Sequence, residues 1–188
     1  MISAILLAAG QSKRMNGVNK LTKEIQGIPL IKLSVKNILA SSINELIVVL
    51  GYQKEIIEEL IDKNEKIKFV FNNNFESGMA SSIKIGLNNL SEKTEAFFIC
   101  LGDMPMINQD VYNQLIRSRN NKEIIVPNYN GQQANPILFS KSIKEKIMSI
   151  QGDVGAKKIL ELNKNKILNV EVGNQSIRKD FNTKDDFI

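Results

Sequence analysis

Short apolar runs alternate along the chain with segments of helical periodicity, and few folds accommodate that alternation. Ile5 to Ala9, Leu46 to Leu50, Ile67 to Phe71, Ala96 to Leu101 and Ile124 to Pro127 read as strands. Between them Ile31, Val35, Ile38 and Leu39 recur at helical spacing. Ile56, Ile57, Leu60 and Ile61 mark a second helix, Ile83, Leu87 and Leu90 a third, and Val111, Leu115 and Ile116 a fourth. Strands that alternate with helices pair in parallel, and the crossovers place helices on both faces of the sheet. The expected fold is therefore α/β, three layers around a mostly parallel sheet. At 188 residues, 43% of them hydrophobic, the chain has the size of one domain with a full core, so 1–188 is read as a single unit.

Ligands of such sheets sit outside the carboxyl ends of the strands. The polar and glycine-containing segments fall at those ends: Gly10 to Lys20 after the first strand, Gly51-Tyr52 after the second, Asn72-Asn-Asn after the third and Gly102-Asp103 after the fourth. The first of them is the most informative. An uncharged run stops at Gly10, which can turn the chain sharply and bring backbone N–H groups close to a ligand oxygen. Ser12, Lys13, Arg14 and Lys20 add a hydroxyl and three cations. The segment fits a polyphosphate; an ordinary turn with surface charges would read the same way. The spacing from Gly10 to Gly17 is too long for a P-loop, no lysine follows Gly17, and no second glycine completes a dinucleotide fingerprint.

Elimination narrows the chemistry further. The chain has no histidine and one cysteine, Cys100, inside Phe97-Phe-Ile-Cys-Leu, which reads as a core position. Ser-His-Asp, Cys-His and histidine-based metal mechanisms are excluded, and no disulfide framework exists. The net charge of +5 comes from lysines scattered among Asn and Ile rather than from a patch with interleaved aromatics, so nucleic acid is not the expected partner. With no leader pattern after Met1 and no run of membrane-spanning length, a cytoplasmic protein without membrane contact is expected.

Leu7-Ala-Ala-Gly-x-Ser-x-Arg-Met, followed by Lys20, resembles the opening signature of nucleotidyltransferases that join an NTP to a phosphorylated acceptor. Within them it is most similar to the group containing molybdenum cofactor cytidylyltransferase. The resemblance implies a Rossmann-like sandwich of the nucleotide-diphospho-sugar transferase type. It also implies that Leu7, Ala8, Ala9, Gly10, Ser12, Arg14 and Lys20 hold the nucleotide, with Arg14 and Lys20 on the triphosphate.

Further motifs follow in the family's order. Asn72-Asn-Asn-Phe-Glu-Ser-Gly-Met-Ala-Ser-Ser-Ile is, by itself, a polar loop with helix caps, or an amide offered to a base edge beside an anion-favouring helix start. It resembles a nucleotide-binding segment of the family, which assigns Asn72, Gly78, Ser81 and Ser82. Gly102-Asp103-Met104-Pro105 either turns the chain or presents one oxygen ligand to Mg²⁺, and the family's Gly-Asp-Met-Pro motif implies the metal role for Asp103. Gly131-Gln-Gln-Ala-Asn-Pro-Ile-Leu-Phe is similar to the acceptor-side segment, with Asn135 where the family has His. Gly152-Asp153-Val154-Gly155-Ala156 resembles a second acceptor-side segment and reads locally as an Asp-capped helix start with Val154, Ile159 and Leu160 on its core face. Asp180-Phe-Asn-Thr resembles the C-terminal metal motif, with Asn182 at the usual carboxylate and Asp180 beside it.

The implied activity is Mg²⁺-dependent transfer of an NMP to a phosphorylated acceptor, with Arg14, Lys20 and Asp103 catalytic. Ala9, where guanylyl-transferring relatives tend to carry Gly, leans towards CTP. Molybdopterin is the implied acceptor and a molybdoenzyme the eventual recipient of the product. The alternatives are a sugar-phosphate or methylerythritol-phosphate nucleotidyltransferase and a non-catalytic nucleotide-binding module.

Overall fold

The computed structural model describes residues 1–12, 15, 18–149 and 157–182. Its elements in chain order are β1 (Ile2–Ala8), β2 (Glu24–Ile25), β3 (Ile28–Pro29), α1 (Leu30–Leu39), β4 (Glu45–Leu50), α2 (Lys54–Glu59), β5 (Ile67–Phe71), α3 (Met79–Asn88) and β6 (Ala96–Leu101). They continue with α4 (Gln109–Arg117), β7 (Ile124–Tyr129), β8 (Gln132–Gln133), β9 (Ile137–Ser140), α5 (Lys144–Met148), α6 (Lys157–Leu162) and β10 (Ile167–Glu171).

The main sheet runs β10-β7-β9-β6-β1-β4-β5, with β8 pairing on β7. β1 is parallel to both β4 and β6, β4 to β5, and β7 to β10. β9 runs antiparallel between β6 and β7. The mostly parallel sheet is as expected, and β9, β10 and the small β2–β3 hairpin are elements that the apolar pattern did not reveal. The hairpin turns at Gln26 and Gly27, both at positive φ (53° and 78°), the twist that suits a two-residue turn.

Successive residues of a strand face opposite sides, and the two cores follow from that period. Ala4, Leu6, Ala8, Leu46, Val48, Leu50, Phe98 and Cys100 pack with residues of α1, α2 and α4. Ile5, Ile47, Val49, Phe97 and Ile99 pack with residues of α3, α5 and α6, including Ile159 and Leu160. Helices therefore cover both faces, which makes three layers. α2 is shorter than its periodicity suggests: only Ile57 within it is buried, while Ile56 is 47% exposed on the outer side. At Gly86 the α3 backbone lies so close to β1 that a Cβ would stand 2.3 Å from Ile5.

Cys100 is a core residue whose thiol is hydrogen-bonded to the Tyr112 side chain. Burial pushes its thiol from an ordinary 9.0 up to about 12. The neutral form is thus favoured in the folded chain, so this group's contribution to stability is complete below pH 9.0 and is lost as pH rises towards 12. At neutral pH the thiol should resist a thiol-specific reagent in native protein and react fully once denaturant is added.

Candidate active site

β1, the middle of the parallel set, ends between two strands that stop level with it. Gly51 and Gly102 let those neighbours close in. A Cβ on Gly51 would fall 2.8 Å from Ala9 and from the Cβ of Phe75, and one on Gly102 would fall 3.0 Å from the Leu7 carbonyl. The Tyr52 N–H donates to Ala9 O at 3.2 Å and the Gly102 N–H to Leu7 O at 3.1 Å, fixing the exit of β1 from both sides. Above this edge lies a cavity of about 610 Å³. It is lined by Leu7, Ala9 to Ser12, Lys20 and Leu21, by Phe75 to Met79 and Ser82, by Leu101 to Asp103, and by Asn182.

Gly10 is exposed on the cavity wall, its φ is not in the left-handed region, and a Cβ there would meet none of the described residues within 4 Å. The sharp turn expected at Gly10 occurs instead at Ser12, with φ of 51°. Ser12 holds the loop: its Oγ accepts from the Lys20 N–H at 3.1 Å and its carbonyl from the Met15 N–H at 2.7 Å. Asn19, only 2% exposed, then caps the short turn Lys20–Thr22 by accepting from the Leu21 N–H at 3.1 Å. Lys20 thus leaves a braced backbone.

Its ammonium donates to Asp103 Oδ2 and, at 2.9 Å, to Asn182 Oδ1. Only 18% of the Lys20 side chain and 15% of that of Asp103 are exposed. The loop carrying Asp103 is held from α1, where Ser34 Oγ donates to Gly102 O at 2.9 Å and Asn37 Nδ2 to Pro105 O at 2.7 Å. Asn182 arrives on the C-terminal segment, anchored by buried Ile177 and Phe181 and by the Phe181 N–H donating to Asp103 O at 3.0 Å. Asn182 Nδ2 in turn donates to Asp180 Oδ2 at 2.5 Å.

Two hard oxygens thus converge on one cation, with a second carboxylate behind them. No group of three or more His, Cys, Asp or Glu among the described residues could hold a metal by itself. Such a donor set fits Mg²⁺ or Mn²⁺ completed by substrate phosphates and water, and does not fit zinc.

Asn72 occupies a different place from the one expected. It is 1% exposed and does not line the cavity. Its Nδ2 donates to Ser81 Oγ at 2.8 Å and Ser82 Oγ at 3.0 Å, while its Oδ1 accepts from the Asn74 N–H at 2.9 Å. Burial commits this amide to holding the loop and the start of α3. Ser81 Oγ is turned back onto Gly78 O at 2.8 Å, and Ser82 alone of the pair reaches the cavity. Gly78, with φ 105° and ψ 174°, adopts backbone that is nearly restricted to glycine and lets α3 begin facing the cavity. Ala8 is buried beneath the loop. Asn135 does not line the cavity, and its N–H donates to Ile177 O at 3.4 Å. Arg14, Asp153 and Val154 lie outside the described residues. Gln11, Phe75, Glu76, Ser77 and Met79 also line the cavity; each stands inside one of the sequence motifs, and the motif is the signal that could have found them.

A model of the MobA-like NTP transferase domain matches residues 4–169. The chain belongs to this family. It is 29% identical over 187 residues to the molybdenum cofactor cytidylyltransferase of Escherichia coli, covering 100% of this chain and 94% of that one. It is 27% identical over 153 residues to the "Probable molybdenum cofactor guanylyltransferase" of Methanosarcina acetivorans, covering 79% of this chain and 67% of the relative. Among solved structures, Rv0371C of Mycobacterium tuberculosis in complex with manganese superposes with a TM-score of 0.83 at 19% identity, over 99% of this chain and 95% of that one. That likeness is one of fold. The chain is thus a nucleotidyltransferase by family, of the nucleotide-diphospho-sugar transferase fold.

Proposed function

We propose that this MobA-like protein transfers CMP from CTP to molybdopterin or a closely related phosphorylated acceptor and releases pyrophosphate. The observation that carries the reading is the convergence of Lys20, Asp103 and Asn182 on a cavity whose wall includes the exposed Gly10.

An acceptor phosphate oxygen forms the new bond to the α-phosphorus, the bond from that phosphorus to the bridging oxygen breaks, and pyrophosphate departs with the electron pair. The attacking phosphate is already anionic at neutral pH, so no strong base is required of a chain without histidine. Mg²⁺, held by Asp103 and Asn182 with Asp180 behind, would supply charge neutralisation on the phosphates. Lys20 turns its ammonium from Asp103 to the phosphate oxygens, and Arg14 adds a second cation there. Ser12 and the backbone at Gly10 hold the polyphosphate in line, and Ser82 faces it from α3. Asn72 and Ser81 act by positioning, and Ala8 by packing under the loop. Asn135 and Asp153 are assigned to the acceptor side.

The CTP preference draws on Ala9, a 4%-exposed methyl group in the cavity wall. The working compartment is the cytoplasm, and no helix among the described residues is long and apolar enough to cross a membrane.

Pyrophosphate release with Mg²⁺ is the test, with CTP, GTP, ATP and UTP compared in the presence and absence of molybdopterin bearing molybdenum. Release confined to CTP plus that acceptor is expected. Release with another acceptor would transfer the reading to that acceptor, and silence with every NTP would overturn it.

Gly10→Ala separates ligand from fold. None of the described residues resists a Cβ at this position, so the melting temperature should hold. A methyl group pointing into the space reserved for phosphate should weaken CTP binding about tenfold or more, a loss of about 1.4 kcal/mol, measured by calorimetry.

A further inference from the structure

Gln11 and Glu76 meet across the cavity. Gln11 Nε2 donates to Glu76 Oε1 at 2.8 Å, and both residues line the cavity. The bond is exposed and joins the loop after β1 to the turn after β5. Neither loop needs it for its shape. The first is already held by the Tyr52 N–H on Ala9 O and the second by the buried Asn72 amide.

Its place along the cavity follows from the strand order. β6, β1, β4 and β5 are successive neighbours. Strand spacing of about 4.8 Å sets the end of β5 three spacings, about 14 Å, from the end of β6 that carries Asp103, and the turn after β5 leans back over the end of β4, where Phe75 stands 2.8 Å from a Cβ built on Gly51. A nucleotide whose phosphates lie by Lys20 and Asp103 and which extends along this edge brings its base to Phe75, Glu76 and Gln11.

The chemistry of the pair is asymmetric. Glu76 keeps Oε2, which can only accept; Gln11 keeps Oε1 and one N–H. Among the described residues none of these three has a protein partner. Two acceptors and one donor suit a base edge that places an exocyclic amino group beside a ring nitrogen with a lone pair, as cytosine does. Uracil places a carbonyl oxygen where cytosine has the amino group, and that oxygen would face a carboxylate.

We infer that Gln11 and Glu76 are specificity-determining residues that read the base by its exocyclic amino group and select CTP over UTP. The inference rests on the proposed nucleotide site and deepens it. CTP and UTP share sugar, phosphates and ring size, so comparing them isolates this edge.

The experiment is calorimetric binding of CTP, UTP and inorganic triphosphate, each with Mg²⁺, to the full chain and to its Glu76→Gln and Gln11→Ala variants. The native chain should prefer CTP by about tenfold or more, the scale of a hydrogen bond to a charged group. In Glu76→Gln, whose amide can donate to a carbonyl, the preference should fall to about twofold or less. Gln11→Ala should also lower it. In Glu76→Gln, triphosphate affinity and melting temperature should not change, because Glu76 is exposed and the amide keeps the oxygen that accepts from Gln11. An unaltered CTP-to-UTP ratio in Glu76→Gln, or a native chain that binds the two nucleotides alike, overturns the inference and leaves the nucleotide site standing. A native chain that binds none of the three probes overturns the nucleotide site itself and this inference with it.

Discussion

Lys20→Ala should lower pyrophosphate release about a thousandfold, the scale of losing a charge-stabilising donor at the transition state, with the fold intact. The ammonium sits against Asp103 Oδ2 and Asn182 Oδ1, where a divalent cation would also have to bind. Lysine and metal therefore compete for the same oxygens until a triphosphate offers the ammonium a better partner. The flexible lysine stem makes that transfer possible without moving the backbone that Ser12 and Asn19 brace. A second readout follows, independent of turnover. Mn²⁺, titrated into nucleotide-free protein and followed by its paramagnetic signal, should bind more tightly to the Lys20→Ala chain than to the native one. Weaker binding would mean that the lysine organises the oxygens rather than blocking them. Near-normal pyrophosphate release from the variant would sink the assignment of Lys20 to the phosphates.

How far the sequence could be read depended on range and on burial. The central strands were legible because Ile47, Val49, Phe97 and Ile99 belong to runs buried on both faces, which leave a continuous apolar signal. β9 was not, since Ile137 to Ser140 is only four residues long and directly follows a proline. β10 was missed because it pairs only with β7 and alternates weakly, with Asn169 and Glu171 exposed. At the site, the residues just past β1 and β6 could be placed because the end of a parallel strand is a general position for ligands. What pairs with what could not. Lys20 meets Asn182 across 162 positions, through an anchor made by Ile177 and Phe181 that no local pattern announces. Ser34 and Asn37 look like ordinary polar helix residues, yet they hold the loop that presents Asp103. Asn72 shows the reverse error: an amide offers a donor and an acceptor to any partner, and only its burial reveals that Ser81, Ser82 and Asn74 have taken them.

Asp103→Ala should be as damaging as the lysine change, for a different reason. Among the described residues Asp103 is the carboxylate in direct contact with the Lys20 ammonium, while Asp180 reaches the same point through the Asn182 amide and Glu76 lines the cavity beside Gln11. Removing it leaves an amide oxygen, which can coordinate Mg²⁺ but brings no negative charge. Turnover should fall about a thousandfold or more. Stability should fall by only about 1–2 kcal/mol, since the pair is partly exposed and the freed ammonium can turn to water in the cavity. Asp103→Asn separates charge from shape: it keeps a coordinating oxygen and the loop, so it should match Asp103→Ala in lost activity while melting close to the native chain. Should Asp103→Asn instead retain most activity at saturating Mg²⁺, the negative charge at this position would not be what the reaction uses. Asn182→Asp offers the complementary change. It puts a negative charge at position 182 itself, beside Lys20, and it should partly restore metal binding in an Asp103→Asn background if the two oxygens serve one cation.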